Sequence, residues 1–349
     1  MSILVLPWPW RKQAGQPVVP CFLPFAGCRT RCLYCAQHLQ TGRPSEADPS
    51  AALDACEAML EERLARGLPP AEAAFYGGTF TGQAEAGLAL CLARAERWLA
   101  SGLAACWRCS TRPDCLSRDM LRRLGDAGCR TVELGIQTFG AEPLERSLRG
   151  YGPDCARQAM GLVRQSGLVL GCQLLPGLPG STPEGFLEDV RESCALGADF
   201  LRFYPCLVIR GTGLAKLWEQ GRYRPWDMET AVETLARGLA LAGAVPVARI
   251  GVAYEEELGQ SVLAGPWDRD LGTRVWSRLA LRTLEQAAGT GGRERRLARA
   301  WLPRRMQGFL WGQNGENRQA LAAAGIVSSA VAWTAADEIR LAFDEECVP

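Results

Sequence analysis

Apolar positions along this chain gather in short runs, separated by longer stretches with helical periodicity. The runs 18–25 (VVPCFLPF), 73–77 (AAFYG), 105–110 (ACWRCS), 131–136 (TVELGI), 168–174 (LVLGCQL) and 199–206 (DFLRFYPC) predict strands. The stretches 50–66, 83–101, 115–127, 153–166 and 182–196 predict the helices between them. The last of these opens on Ser181-Thr182-Pro183-Glu184, with a hydroxyl at the N-cap and proline at the first helical position. Strand–helix units recurring roughly every 30 residues imply a parallel sheet, because parallel neighbours need a crossover. Six such units with right-handed crossovers curl into a barrel or partial barrel, whose chemistry gathers at the carboxyl ends of the strands.

The rhythm changes after residue 206. Residues 207–226 read as a loop with a short helix, 227–243 as an amphipathic helix and 245–252 (VPVARIGV) as one further strand. Beyond about residue 270 the sequence is Arg-rich and reads as helical, with TGGRERR (290–296) as a connector. The expected organisation is an N-terminal segment (1–17), a core partial barrel (18–210), an extension of one helix and one strand (211–280) and a helical C-terminal region (281–349).

Composition narrows the class. Of 349 residues, 48% are hydrophobic and 22% charged, as in an ordinary globular chain. A net charge of +1 gives no global field toward nucleic acid or membrane. No apolar run is long enough to span a bilayer, and the N-terminus lacks the basic region and cleavage site of a signal peptide. Fifteen cysteines, odd in number and spread over a large chain, suit a reducing cytosol better than a disulfide framework, so a cytoplasmic setting is expected. The single histidine, His38, disfavours imidazole-based zinc sites and Ser-His or Cys-His catalysis, and reads as a loop or cap residue.

Three cysteines do not fit the scattered pattern. Cys28, Cys32 and Cys35 follow the first predicted strand at the spacing Cys-x3-Cys-x2-Cys, whereas Cys21 lies inside that strand as a core residue. A structural zinc site normally takes four ligands. The other close pair, Cys106 and Cys109, lies on a predicted strand, where positions i and i+3 point to opposite faces. Three thiolates on one loop suit a [4Fe–4S] cluster that keeps one iron free of protein ligands, with Tyr34 beside whatever binds there. At the end of the second predicted strand, FYGGTFTG (75–82) pairs glycines that let backbone come close to a ligand.

The spacing Cys28-x3-Cys32-x2-Cys35 is the signature of the radical S-adenosylmethionine (SAM) superfamily. With STRPD (110–114), VELGIQTF (132–139), LRGYG (148–152), LGCQLLPGLPGST (170–182) and LRFYPCLVIRGTGL (201–214), it resembles the radical SAM half of the Elongator catalytic subunit and its shorter bacterial relatives. ARIGV (248–252) and AGPWD (264–268) extend the resemblance to about residue 280. It implies a partial (β/α)6 TIM-like barrel of the radical SAM type, a [4Fe–4S] cluster on Cys28, Cys32 and Cys35, and S-adenosyl-L-methionine as cosubstrate. Tyr34, Gly77, Gly78 and Thr79 are implied to line the SAM pocket. Ser110, Gln137 and Arg149 are implied contacts to its ribose, amino-acid or carboxylate groups. Gln173 and the Pro176–Gly180 turn are implied for the floor, and Arg202 and Tyr204 for the substrate side.

The implied reaction is reductive cleavage of SAM to methionine and a 5′-deoxyadenosyl radical, which takes hydrogen from a substrate, small molecule or RNA. It implies a one-electron donor such as flavodoxin or ferredoxin. The Elongator subunit also carries an acetyltransferase domain and a long basic N-terminal extension, and this sequence has room for neither. Phe25 and Gly152 stand where many relatives have histidine. Modification of the tRNA wobble uridine, with a separate acyltransferase partner, is thus one alternative, and a non-enzymatic iron–sulfur scaffold or electron-transfer protein another. Arg293, Arg295, Arg296, Arg299, Arg304 and Arg305 read as a solvated face near Trp301, Phe309 and Trp311 rather than a phosphate-binding surface.

Overall fold

A computed structural model describes residues 2–8, 16–41, 49–252, 256–290 and 296–344. The chain divides into two compact units: Ala14–Met228 with Val247–Trp267, and Met1–Gln13 with Glu229–Pro246 and Asp268–Pro349.

The larger unit is a curled sheet of parallel strands, the partial barrel that the resemblance implied. In sheet order, which is also chain order, the strands are Val18–Phe22, Ala71–Tyr76, Ala104–Thr111, Cys129–Gln137, Val169–Leu174, Phe200–Phe203 and Val247–Ile250. They are called the first to seventh strands below. Six were expected in the core; the strand assigned to the extension joins the sheet as the seventh, pairing with the sixth. Crossover helices include Pro49–Ala65, Glu85–Ala100, Arg118–Asp126, Pro153–Ser166 and Pro183–Ala195. Their ends obey local chemistry. The Ser117 and Thr182 side chains accept from the backbone N–H of Met120 and Gly185, both at 3.1 Å, and Pro183 occupies the first turn as its sequence predicts.

Alternation along each strand sends one set of side chains to the helices and the other inside the curl. Phe75 points outward and stacks on Phe80 (ring centroids 4.8 Å), with Trp107 edge-on at 5.5 Å. Trp107 donates to the Ala127 carbonyl at 2.8 Å, so its indole is buried without an orphaned N–H. Phe203 meets Phe186 of helix Pro183–Ala195 edge-on at 5.0 Å. The inward set is polar: Glu72, Tyr76, Arg108, Ser110, Glu133, Gln173 and Arg202. Cys106 and Cys109 sit on the third strand as expected, the first donating to Gln16 (3.3 Å), the second buried beside Cys129.

The smaller unit corrects the C-terminal expectation. It has helices Met228–Ala242, Leu271–Thr290 and Arg318–Ala323, but also a four-stranded sheet in the order Ser2–Pro7, Glu338–Asp344, Arg296–Pro303, Val331–Thr334. The region after 280 is therefore not simply helical, and the N-terminal segment is not independent of it. Ser2–Pro7 pairs antiparallel with Glu338–Asp344 in unbroken register. Leu297, Ala300 and Leu302 are buried while Arg299 is exposed, an alternation interrupted by a register shift between Leu297 and Arg299. Arginine and alanine favour helices locally, and pairing with a distant strand overrides that preference. The predicted extension also splits: helix Met228–Ala242 pairs with Leu271–Thr290 through Arg278–Glu229 (2.5 Å) and Arg278–Glu233 (3.2 Å). Arg299 lies over the Trp301 ring and Arg305 pairs with Asp337, in keeping with a solvated face. Arg293 and Arg295 lie outside the described residues. Among the described residues, no helix is long and apolar enough to cross a membrane.

Candidate functional site

The segment after the first strand leaves the sheet at Leu23, whose N–H donates to the Tyr76 carbonyl (2.8 Å), and turns at once. Phe25 and Gly27 both have positive φ, and the Cys28 N–H closes back on the Phe25 carbonyl (3.0 Å). This loop interlocks with the glycine pair at the end of the second strand. Thr79 N donates to Ala26 O at 2.7 Å, and the Gln37 amide oxygen accepts from Phe25 N (2.5 Å) and Gly78 N (2.7 Å). A Cβ at Gly78 would lie 2.3 Å from Ala26 O, and one at Gly27 would lie 2.2 Å from Thr79 O. Both residues have left-handed backbones, so no L side chain fits either place. The close approach that the glycines permit is thus to the cysteine loop itself.

Cys28, Cys32 and Cys35 stand on this loop. Cys28 Sγ contacts the Thr79 hydroxyl at 3.3 Å. Burial, followed by the neighbouring Cys32 and Cys28, pushes the Cys35 thiol up to about 12, and burial also raises that of Cys28. Raised in this way, Cys28 and Cys35 stay neutral thiols until a cation compensates them. Two buried guanidiniums converge on Cys32: Arg149 Nη1 donates to its sulfur at 3.2 Å and Arg112 Nη1 at 3.7 Å. Arg149 is otherwise filled by protein acceptors. Nη1 also reaches Tyr34 OH (3.3 Å), Nη2 the Gly135 carbonyl (2.6 Å) and Tyr151 OH (2.8 Å), and Nε again Tyr151 OH (3.2 Å). Arg112 grips Asp114 with two bonds (2.9 and 2.8 Å) and also donates to the Arg149 carbonyl.

Below the loop, Glu133 is fully buried and collects the inward polar set. It accepts from Tyr76 OH (2.9 Å), Arg108 Nη1 (3.1 Å), Gln173 Nε2 (3.0 Å) and Arg202 Nη2 (3.0 Å). Arg108 also pairs with Glu72, so two carboxylates face two guanidiniums. Gln173 donates as well to Ser110 Oγ at 3.2 Å. Burial and the adjacent Glu133 push the Tyr76 phenol up, and it remains a donor.

One cavity of about 840 Å³ opens over both groups. Of the sequence-predicted site residues, Cys28, Cys32, Tyr34, Cys35, Gly77, Gly78, Thr79, Ser110, Gln137, Arg149 and Gln173 line it, with Arg202 and Tyr204, whereas the Pro176–Gly180 turn expected at the floor is not part of its lining. Gln137 adopts positive φ, a strain that non-glycine residues keep chiefly at functional sites. His38 is exposed, its ring 6.0 Å from Phe25. Sequence reasoning overlooked Gln37, Arg112, Tyr151, Glu133, Tyr76 and Arg108. The available signal was polar side chains recurring at every second position of a predicted strand, as in Arg108 and Ser110.

The sequence model of the radical SAM superfamily matches residues 22–192, and that of the radical SAM C-terminal domain matches 198–280. The chain belongs to the radical SAM superfamily. Over 129 residues this radical SAM chain is 36% identical to the tRNA uridine(34) acetyltransferase of Methanocaldococcus jannaschii, covering 36% of this chain and 24% of that one. Over 134 residues it is 35% identical to Elongator complex protein 3 of Mus musculus, covering 38% and 24%. It thus spans about a quarter of the length of these curated relatives. The structure of Methanocaldococcus infernus Elp3 lacking residues 1–46 superposes with a TM-score of 0.58 at 21% identity, over 82% of this chain and 71% of that one. This is a likeness of fold.

Three loop thiols with donors against two of their sulfurs are a set that would fit a four-iron cluster. Among the described residues, no three Cys, His, Asp or Glu side chains converge on one ion position. Thiolates of a four-iron cluster each bind a different iron and have no need to converge. The N–H groups aimed at Cys32 Sγ, and the Thr79 hydroxyl that can donate to Cys28 Sγ, are of the kind that ligating sulfurs take from their surroundings.

Proposed function

We propose that the chain is a radical SAM enzyme of the cytoplasm, with an oxidoreductase-type reaction that begins by reductive cleavage of S-adenosyl-L-methionine. What carries this reading is the single cavity over three loop cysteines, the glycine interlock and a polar floor. Cys28, Cys32 and Cys35 would hold a [4Fe–4S] cluster, and Tyr34, Gly77, Gly78, Thr79, Ser110, Gln137 and Gln173 would line the SAM position. The chemistry supplied by this pair is one-electron reduction of the sulfonium, which breaks its bond to C5′ and yields a 5′-deoxyadenosyl radical able to take hydrogen from a substrate C–H.

The chain's own residues position and insulate. Arg149 and Arg112 donate to the Cys32 sulfur and hold it in one orientation, in place of the SAM contact that the resemblance implied for Arg149. The Gln37 amide locks the cysteine loop to the Gly77–Gly78 turn. The Glu133 network fixes Ser110 and Gln173 without leaving a buried charge unpaired, and such preorganisation is what a reactive radical requires of its host. The electron would come from a flavodoxin or ferredoxin.

A second reading, modification of the tRNA wobble uridine with a separate acyltransferase, is supported by the 36% identity to a tRNA uridine(34) acetyltransferase over 129 residues. Anaerobic reconstitution tests the first reading: about four irons per chain and 5′-deoxyadenosine formed with SAM and dithionite are expected. Iron–sulfur absorbance without 5′-deoxyadenosine would leave only an electron-transfer or scaffold role. A salt-dependent tRNA shift decides the second reading.

A further inference from the structure

In the ladder between the sixth and seventh strands, Arg202 and Arg249 are direct register partners, and both line the cavity. Like charges opposite each other on one face of a sheet destabilise it. Arg202 is compensated by Glu133, at 2.9 Å from Nε and 3.0 Å from Nη2. Arg249 is not. Its Nε donates to the Gly251 carbonyl at 3.2 Å, and among the described residues no carboxylate comes within ion-pairing reach of it and neither Nη has a protein acceptor.

Tyr204 stands beside this pair. Its hydroxyl accepts from Arg202 Nη1 at 3.2 Å, and burial raises the phenol, so the proton stays on oxygen and is free to donate. Nearby cavity walls are apolar: Pro20 and Phe22 of the first strand, Leu207 and Val252 beyond the sixth and seventh. First and seventh strands are the two edges of the curled sheet, so Arg249 borders the open side of the partial barrel. The cysteines follow the first strand, and the residues proposed for SAM lie on the cysteine loop or on the second to fifth strands and their ends, so they come from different elements than this pair.

We propose that Arg249 and Tyr204 form an oxyanion subsite at the rim of the cavity, which takes a carboxylate or phosphate group of the substrate. The subsite stands on this geometry; its assignment to a substrate rests on the radical SAM reading above. A guanidinium fork offers two N–H donors to an oxyanion and the phenol a third, with the exposed Arg249 meeting the oxyanion at the solvent-facing rim and Tyr204 deeper in the wall.

The test is thermal unfolding of the reconstituted holoprotein at constant ionic strength, with chloride replaced stepwise by phosphate or by malonate. The expected result is a saturable rise in Tm for the wild type; a response to phosphate alone assigns a phosphoryl group, and to malonate alone a carboxylate. Arg249→Gln should unfold at the same temperature as wild type or higher without anion, because a like-charge contact is gone, and should not respond to either anion. Tyr204→Phe should weaken the half-saturating anion concentration roughly tenfold. An undiminished response in Arg249→Gln, no response in wild type, or a lower Tm for Arg249→Gln without anion would overturn the subsite. Loss of the anion response in wild type at saturating SAM would assign Arg249 to the cosubstrate and overturn the substrate role. Failure of the radical reading shows separately, as absence of 5′-deoxyadenosine from wild type.

Discussion

On the cysteine side of the cavity, backbone meets backbone: Thr79 N donates to Ala26 O, Gly78 N and Phe25 N share the Gln37 amide, and two glycines leave no room for a Cβ. On the floor the contacts are between side chains of strands far apart in sequence, with Glu133 accepting from residues 25 to 69 positions away. The first arrangement is steric and local to two loops. The second is electrostatic and exists only once the sheet has curled. The difference teaches that the two halves of the site should fail in different ways when perturbed: the cysteine side by losing what it binds, the floor by losing stability.

The largest effect is expected at Cys32→Ala, which removes one of the three proposed cluster ligands and the acceptor of Arg149 and Arg112. Reconstituted iron and 5′-deoxyadenosine formation should both fall to background, with the fold retained by circular dichroism. Retention of a full cluster would break the assignment of this wall.

Glu133→Leu probes the floor. It strands Arg202 without its carboxylate and leaves Arg108 with Glu72 alone, and breaking a buried pair from one side costs about 3–5 kcal/mol. Urea unfolding should show that loss, whereas an unchanged midpoint would mean that the network contributes nothing net.

Asp189 joins the frame to the cavity from behind: on helix Pro183–Ala195, it accepts from Phe139 N (2.8 Å), two residues past the end of the fourth strand. Burial pushes its carboxyl up to about 7 from 3.8. The fold therefore favours the neutral acid. Its contribution is complete below about pH 4, declines as the pH rises toward 7 and is lost above that, a change of a few kcal/mol at most. Asp189→Asn keeps an acceptor for Phe139 N and should flatten this part of the stability–pH curve, measured by urea unfolding from pH 4 to 8. A slope equal to that of wild type would exclude Asp189 as its source.

The smallest change concerns tuning. Hydrogen bonds to cluster sulfur stabilise the more negative, reduced state. Arg149→Lys removes the Nη1 group that reaches both Cys32 and Tyr34, and the midpoint potential should fall by on the order of 50 mV, about a tenfold change in a one-electron equilibrium. An electron paramagnetic resonance redox titration reads this without catalysis, and an unchanged potential would reduce Arg149 to a structural tie for Gly135 and Tyr151.

Legibility in the sequence followed the range of the interaction. The Cys-x3-Cys-x2-Cys loop, the Gly77–Gly78 turn and the Thr182–Pro183 helix start depend on neighbours within a few residues, and each stands where its sequence indicated. Arg149 was legible as a site residue but not by its partners, because Cys32 lies 117 positions away. Arg296–Pro303 shows the same limit in the fold. Its local preference is helical, and its strand state comes from pairing with Glu338–Asp344, which in turn pairs with Ser2–Pro7 at the other end of the chain.

By itself the sequence determined the alternation of strands and helices, the parallel sheet that follows from it, and the three thiols held on one loop. Hydrophobic period and backbone stereochemistry are properties of consecutive residues, and no distant partner is needed to express them. Tertiary structure alone decided that Val247–Ile250 closes the sheet as a seventh strand, that Glu133 sits among two arginines and a tyrosine, and that Arg202 and Arg249 face each other at the cavity rim. Charge compensation depends on distance through space, and only the folded chain sets that distance.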